Sequence, residues 1–403
     1  MTLHDAPAAA PTGRESERVT AARRATAVAF LGTGFVFASW VSRLPQIRTE
    51  LQLSVADLGF VLLALAVGSL LALPAVAVLV PRLGTRAVVS VMAVVTAGAL
   101  TVIGVGYHLG TAPVVVGLFL MGFGLAAWNV AMNVQGALVE RHARRAIMPR
   151  FHAGFSIATV GSALLGAGLI AVGAPVTVHL VAIAVVVAVT VVLASRSFLD
   201  DDQHPATGPD ATPANDRPGR RLDRRTLTIG IVVLAFAFAE GTGNDWIAVT
   251  LVDDHQTSAA VASLGYAAFL AAITLGRWTG PRLLARYGRV SAIRGLAVVA
   301  LVGLLLFVLS PWPSLAFAGV LLWGLGACLG YPVALSAAAD DSRFAAQRVS
   351  TVSGNGQLAF LGCPLLVGLL GEMWTIQHAL VVVPVLITLA LPAIGSLTPA
   401  DTR

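Results

Sequence analysis

The sequence places one carboxylate, Glu240, in the middle of a run of apolar residues. Asn244 follows one helical turn later, Asp245 stands beside it, and Gly241 and Gly243 interrupt the run. A charged group surrounded by hydrocarbon costs roughly 2.5 to 3.5 kcal/mol, so such a position indicates a functional or structural role. Because a carboxylate of this kind could take up a proton when dry and release it when wet, Glu240 is the candidate for proton coupling or solute contact. The alternative is an interhelical hydrogen bond or ion pair that only secures packing.

Carboxamide and hydroxyl side chains recur in other apolar runs. Asn129 and Asn133 lie one helical turn apart, and Asn355 and Gln357 flank a glycine. Amides on one face offer paired donors and acceptors to the hydroxyl or carbonyl groups of a polar solute. The alternative is that they hold membrane helices together, at around 0.6 kcal/mol per contact. The predicted solute-cavity residues are Asn129, Asn133, Asn244, Asn355, Gln357, Ser156 and Trp40, with His152 assigned to the cytoplasmic boundary beside Arg150.

Charged residues near the outer ends of two apolar runs are candidates for a gate. Arg43 and Asp245 lie at similar depth, each close to a tryptophan, Trp40 and Trp246 respectively. An ion pair between Arg43 and Asp245 would close the outer face when the cavity opens inward. The alternative for both tryptophans is an anchor at the membrane interface, a depth that indoles favour.

Further gating candidates lie near the inner ends of the runs. Glu140 adjoins a group of arginines, which favours an inner ion pair, and Arg277 is expected to snorkel or to pair with Asp340 or Asp341. Two basic turns complete the set, at Arg82, Gly84 and Arg86 and at Arg286, Gly288 and Arg289.

The elements that carry these residues are long apolar runs in a chain of 403 residues. Apolar side chains make up 57% of the sequence and charged ones 11%, against about 25% charged in a soluble domain, which excludes a water-soluble globular protein. A spanning helix needs about 20 apolar residues. The sequence therefore predicts an all-α integral membrane protein of 12 transmembrane helices, at 25–45, 55–80, 87–107, 113–138, 151–172, 176–194, 227–250, 259–283, 291–309, 314–339, 349–370 and 376–397.

The basic residues predict the orientation of these helices. All 26 are arginine, and 23 of them fall on one side if the spans alternate as predicted. Because cytoplasmic loops retain basic residues, both termini are predicted to lie inside, an N-in/C-in topology. The predicted organisation is a disordered cytoplasmic tail (1–24), a six-helix bundle (25–196), a cytoplasmic linker rich in proline and charge (197–225), a second six-helix bundle (226–397) and a short tail (398–403).

The two predicted bundles share a weak internal repeat. Trp40 precedes Gly59 by nineteen residues, as Trp246 precedes Gly265, and each bundle has its basic turn after its second helix. Six-plus-six helices with a basic R-x-G turn resemble the major facilitator superfamily. Five stretches further resemble its YbjJ-like branch, which is loosely allied to fucose:proton symporters: FASWVSRLPQIR (37–48), WNVAMNVQGALVE (128–140), MPRFHAGFS (148–156), EGTGNDWIAV (240–249) and GYPVALS (330–336).

This resemblance implies two pseudo-symmetric bundles that rock around a site near the middle of the membrane. The sequence departs from the family's pattern before the basic turns, where Pro81 and Ala285 stand in place of an acidic residue. It also has Ala127 and Ala131 where the fucose symporters carry a glutamate and an asparagine, so their sugar recognition and proton coupling do not transfer to that helix.

These observations predict a secondary active transporter of a small solute in the inner (plasma) membrane, driven by protons. A drug or metabolite efflux pump of the same fold and a non-transporting membrane sensor remain as alternatives. The sequence contains no P-loop and no catalytic, metal or dinucleotide motif, so neither an enzyme nor a cofactor is expected. The predicted partners are a small-molecule substrate, protons and the lipid bilayer, without nucleic acid, and a monomer is expected to suffice.

Overall fold

A computed structural model describes residues 13–201, 223–340 and 344–399 of the chain, and these are helical throughout apart from short connections. The helices are α1 (Gly13–Glu50), α2 (Val55–Gly106), α3 (Thr111–Ala143), α4 (Met148–Ala171), α5 (Val176–Ser195), α6 (Arg224–Asp253), α7 (Ala259–Leu309), α8 (Pro313–Ala327), α9 (Gly330–Ala338), α10 (Ala345–Met373), α11 (Ile376–Ala379) and α12 (Val382–Ala390), followed by a 3₁₀ helix at Pro392–Leu397.

Nine helical segments in the described part of the chain are long and apolar enough to cross a membrane, with α8 and α9 counting as one. Two of them, α2 and α7, have 52 and 51 residues, so at 1.5 Å per residue each is more than twice as long as the roughly 30 Å hydrocarbon core. Each is interrupted by one non-helical glycine, Gly84 (φ +80°) in α2 and Gly288 (φ +73°) in α7. Glycine is required there because other residues rarely adopt positive φ. The two predicted basic turns therefore bend the chain between successive helices.

Some predicted boundaries differ from those observed. Helix α1 begins at Gly13, so residues 13–24, which we expected in a disordered tail, are helical, and residues 1–12 lie outside the described part. Hydropathy predicts where the apolar run begins, but polar residues can extend the helix beyond that point. The predicted last span is divided into α11, α12 and the 3₁₀ helix. Most of the predicted linker, residues 202–222, also lies outside the described part.

The helices form two groups, α1 to α5 and α6 to the 3₁₀ helix, which we call the N-half and the C-half. The halves meet where α2 packs on α10, α4 on α7, and α1 on α6. The α2–α10 contact is close because a Cβ on Gly59 would lie 2.6 Å from the Pro364 carbonyl oxygen. Trp40 and Trp246 are 1% and 0% exposed, so they pack in the core and are not interfacial anchors.

Candidate functional site

An ion pair between Glu240 of α6 and Arg277 of α7 is the centre of the candidate site. Arg277 Nη2 donates to both carboxylate oxygens at 2.8 Å, and Arg277 Nε donates to the Cys328 carbonyl oxygen at 3.3 Å. The side chains are 18% (Glu240) and 36% (Arg277) exposed. Glu240 is thus paired and not isolated, and the expected pairing of Arg277 with Asp340 is wrong, while the alternative partner, Asp341, lies outside the described residues. The reason is that α7 packs against α6 and brings Arg277 beside Glu240.

The Asn244 side chain is hydrogen-bonded within the C-half, so fewer of its amide donors and acceptors than expected are free for a solute. Its Nδ2 donates to the Glu240 carbonyl oxygen at 3.0 Å, and its Oδ1 accepts from the hydroxyl of Tyr266 at 3.3 Å. Tyr266 is fully buried on α7, and the charges of both Glu240 and Asp245 act on its hydroxyl. Our sequence reasoning missed Tyr266, although a hydroxyl inside an apolar run was the signal that marked it.

Arg43 and Asp245 do not form the predicted gate. Arg43 is 0% exposed, and its Nε donates to His179 Nδ1 at 2.9 Å while its Nη1 donates to Gln46 Oε1 at 2.7 Å. From the described residues, the Asp245 carboxylate accepts one hydrogen bond, a weak one from the thiol of Cys363 at 3.5 Å. The prediction fails because Arg43 points into the N-half, towards α5, whereas Asp245 belongs to the C-half. His179 was missed, although it is a lone imidazole near the start of an apolar run.

Other residues join the halves, all at one end of the bundle, which we call the closed end. Arg48 forms an ion pair with Asp253 there, two turns further along α6 than Asp245. Glu372 of α10 accepts hydrogen bonds from the backbone N–H groups of Val55 (3.0 Å) and Ala56 (3.2 Å). A carboxylate at a helix N-terminus satisfies free donors and complements the helix dipole. Glu372 therefore caps α2 across the boundary between the halves.

At the other end, which we call the opposite end, polar contacts remain within one half. Asp201 accepts from the Thr85 backbone N–H at 2.5 Å and from the Thr85 hydroxyl at 2.8 Å, directly after the Gly84 break. In the C-half, Asp340 pairs with Arg225 at 3.0 Å and with Arg289 at 2.7 Å. Among the described residues, no hydrogen bond or ion pair crosses between the halves at this end.

Glu140 and most of the basic-turn arginines have different roles from those predicted. Glu140 accepts from the backbone N–H groups of Ile147 (2.6 Å) and Met148 (2.7 Å), so it caps α4 and does not pair with its neighbouring arginines. The reason is that the chain between α3 and α4 folds the start of α4 onto Glu140. Arg82 and Arg86 are exposed, and Arg286 lies 5.3 Å from the ring centroid of Tyr287. Of these arginines, only Arg289 has an ion pair within the described part of the chain.

The predicted amide face on α3 is present. Asn133 Nδ2 donates to the Asn129 carbonyl oxygen (2.8 Å) and to Asn129 Oδ1 (2.9 Å), and Asn129 is exposed. Asn355 packs against Gly230 of α6, where a Cβ would clash with the Asn355 Nδ2. Gln357 and Ser156 are half-buried, and their side chains make no hydrogen bond to the described residues, whereas Trp40 is buried in the core.

His152 lies on α4, the helix of the N-half that packs against α7. It is exposed, its ring meets Phe30 edge-on at 5.1 Å between centroids, and the charge of Arg277 acts on it across the boundary between the halves. The described residues contain no group of three or more His, Cys, Asp or Glu side chains that could hold a metal ion. The candidate site is a polar cluster on α6 and α7 of the C-half, with His152 on α4, which packs against α7.

Comparisons with known proteins agree with this architecture. The family model described as Major Facilitator Superfamily matches residues 25–354. An uncharacterized transporter of Sinorhizobium fredii is 31% identical over 88% of this chain and 92% of its own length. An uncharacterized MFS-type transporter of Yersinia pestis is 28% identical over 88% of this chain and 90% of its own length. The membrane protein MosC of Rhizobium meliloti is 26% identical over 88% of this chain and 85% of its own.

Solved structures show the same fold. The nucleoside transporter NupG superposes with a TM-score of 0.72 at 15% identity, and the match covers 93% of this chain and 98% of NupG. A bacterial homolog of the human lysosomal transporter Spinster, inward-facing and unoccupied, gives a TM-score of 0.74 at 13% identity and covers 96% and 98%. Family model, relatives and fold therefore agree that this multi-pass membrane protein belongs to the Major Facilitator Superfamily.

Proposed function

We propose that this protein is a secondary active transporter that moves a small polar solute across the plasma membrane by alternating access, coupled to protons. The observation that carries the proposal is the asymmetry of the contacts between the halves. Polar contacts across the boundary join the halves at the closed end, and none among the described residues does so at the opposite end. A solute would reach Glu240 and Arg277 through the opposite end. It would leave on the other side of the membrane once the opposite end closes and the closed end opens.

The proposal includes twelve spans. Breaks at Gly84 and Gly288 would divide α2 and α7 into two spans each, α8 with α9 would form one span, and the segment from α11 to the 3₁₀ helix would form the last. The opposite end carries Arg225 and Arg289, in the arginine-rich set that favours the cytoplasm. With this topology, both termini lie inside and the described state faces inward.

Glu240 is our candidate for the proton carrier because two partners compete for its carboxylate. While it is ionised, it binds Arg277; when it takes up a proton, the ion pair is lost and Arg277 is released. Asp245, five residues further along α6, is a second carboxylate without a cation within 4.0 Å in the described part of the chain, so it is the rival candidate for the proton carrier. Asp245→Asn therefore tests which of the two α6 carboxylates carries the proton.

The test is solute flux into proteoliposomes, after growth and uptake screening of a deletion strain against sugars, acids and toxic compounds has identified a solute. We expect uptake driven by a pH gradient to collapse when a protonophore is added. We expect Glu240→Gln to insert normally and to lose pH-driven uptake while counterflow exchange survives, because exchange needs no net proton movement. Asp245→Asn should retain pH-driven uptake.

Three results would contradict parts of this proposal. Flux that ignores the pH gradient would remove proton coupling, and full pH-driven uptake by Glu240→Gln would leave Glu240 with a packing role. Single cysteines at Ser197 and Leu109, introduced after replacement of Cys328 and Cys363, should react with an impermeant thiol reagent from inside and outside respectively. The reverse pattern would overturn the orientation.

A further inference from the structure

Arg277 has hydrogen-bond donors that no protein group uses. A guanidinium carries five N–H donors, of which Nε uses one on the Cys328 carbonyl and Nη2 uses two on Glu240. The two donors on Nη1 have no acceptor among the described residues, and Nη1 is not one of the buried unpaired atoms. Since the side chain is 36% exposed, Nη1 is open to a ligand.

A second basic side chain lies in the other half, on α4, the helix that packs against α7. His152 of α4 is exposed and within range of the Arg277 charge, but the two are not hydrogen-bonded, and the His152 ring has no hydrogen-bond partner in the described part of the chain. Phe30 holds the imidazole by an edge contact at 5.1 Å. Two basic groups from opposite halves thus border one gap.

The charge balance of this gap distinguishes classes of solute. Glu240 is already paired with Arg277, so the free hydrogen-bonding groups of this ion pair are the N–H donors of Arg277, which an ammonium group cannot satisfy. An anionic solute would satisfy the free donors of Arg277, and a carboxylate matches the planar arrangement of guanidinium donors.

We propose that the solute is a small organic anion whose carboxylate binds Arg277 Nη1 from the C-half and His152 from the N-half. This inference rests on the proposed transport function and names its substrate class. A carboxylate that contacts both halves favours the conformations in which they approach each other at the opposite end. Binding of the solute and closure of that end are then the same event.

The first test compares solutes that differ mainly in charge. The probes are 2-hydroxycarboxylates of two to six carbons, their primary amides and the corresponding amino alcohols, added to the purified full-length protein in detergent for unfolding and in proteoliposomes for counterflow. We expect carboxylates to raise the unfolding temperature and to compete in counterflow at concentrations at least about tenfold lower than their amides. Amides or amino alcohols that bind as well as the carboxylates, or a panel in which no carboxylate binds, would overturn the inference.

The second test uses variants whose effects have opposite signs. Glu240→Gln removes the negative charge beside Arg277, so we expect carboxylates to bind about tenfold more tightly, a gain that a purely structural role would not produce. The Arg277→Gln/Glu240→Gln double variant removes the ion pair and its free donors, so it should lose most of the preference for carboxylates over amides and keep only the part that His152 supplies. His152→Gln should weaken the binding of carboxylates but not of amides. Arg282 is an exposed arginine on the same helix as Arg277, so Arg282→Gln serves as the control and should change neither affinity.

The two proposals fail in different ways. If Glu240→Gln weakens carboxylate binding, or if the double variant prefers carboxylates as strongly as the wild-type protein does, the anion site is wrong. If the wild-type protein moves neutral or cationic solutes in counterflow and ignores every carboxylate, the anion site is wrong and transport stands. If no solute from the screen or the panel moves in proteoliposomes, the transport proposal itself fails.

Discussion

The closed end and the opposite end of the bundle differ in which residues their polar contacts join. At the closed end, Arg48 and Asp253 belong to different halves, and Glu372 of the C-half caps α2 of the N-half. At the opposite end, Asp201 binds Thr85 within the N-half and Asp340 binds two arginines within the C-half. The first set resists separation of the halves, whereas the second set strengthens each half as a unit.

This difference indicates how the two closures are balanced. Partly exposed ion pairs contribute at most about 1 kcal/mol each, and helix-end charges contribute similar amounts. A closure made from a few such contacts and a close backbone approach at Gly59 is therefore weak enough to exchange with its alternative. Rigid halves with a weak boundary between them are what a rocking motion requires.

The largest effect is expected when the close approach at the closed end is blocked. In Gly59→Leu the new Cβ would lie 2.6 Å from the Pro364 carbonyl oxygen and 3.2 Å from the Gly368 Cα, and neither backbone atom moves alone. Overpacking of this kind costs about 1 to 3 kcal/mol. We therefore expect the ratio of molecules with the closed end open to those with it shut to rise by roughly 5- to 150-fold. Spin-label distances between Glu50 and Met373 should lengthen.

Gly98→Leu is the matched control for this substitution, because Gly98 is exposed on α2 and a Cβ added there would have no atom within 4 Å. It should leave the distance distribution unchanged. An unchanged distribution in Gly59→Leu as well would show that the contact at Gly59 does not hold the closed end.

A smaller effect is expected from the ion pair across the closed end. Asp253→Asn removes the charge that pairs with Arg48. We expect the free energy that favours the closed form to fall by about 1 kcal/mol, roughly a fivefold shift towards the open form. The charge-swapped variant Arg48→Asp/Asp253→Arg should recover part of the closure. If neither single variant shifts the balance between the open and closed forms and the swapped variant recovers nothing, the ion pair does not contribute and packing alone holds the closed end.

The smallest conformational effect is expected at the opposite end. Asp201→Asn weakens two hydrogen bonds within the N-half, so we expect a loss of about 1 kcal/mol in stability, seen as a lower unfolding temperature. The label distance between Glu50 and Met373 should not change. A change in that distance would mean that the contacts at the opposite end also set the balance between the closures.

Features with a local physical cause were predictable from the sequence. The long apolar runs predicted helices of membrane-spanning length, and the R-x-G turns predicted the breaks at Gly84 and Gly288, because a positive φ is a requirement of one residue. Asn129 and Asn133 share a face because their spacing of four matches one turn of a helix. The helical start at Gly13 escaped prediction because polar residues extend a helix beyond the lipid without leaving a hydropathy signal.

The sequence by itself determined that this chain is built for a membrane, where its glycine breaks fall, and that Glu240 is a carboxylate in an apolar setting. Only the tertiary structure decided the partners: Arg277 for Glu240, His179 for Arg43, and Asp253 for Arg48. The physical reason is that each pair joins different helices, 37 to 205 residues apart. Its formation depends on which helices pack together and on how each is rotated, and neither property is written in the spacing of residues along one helix.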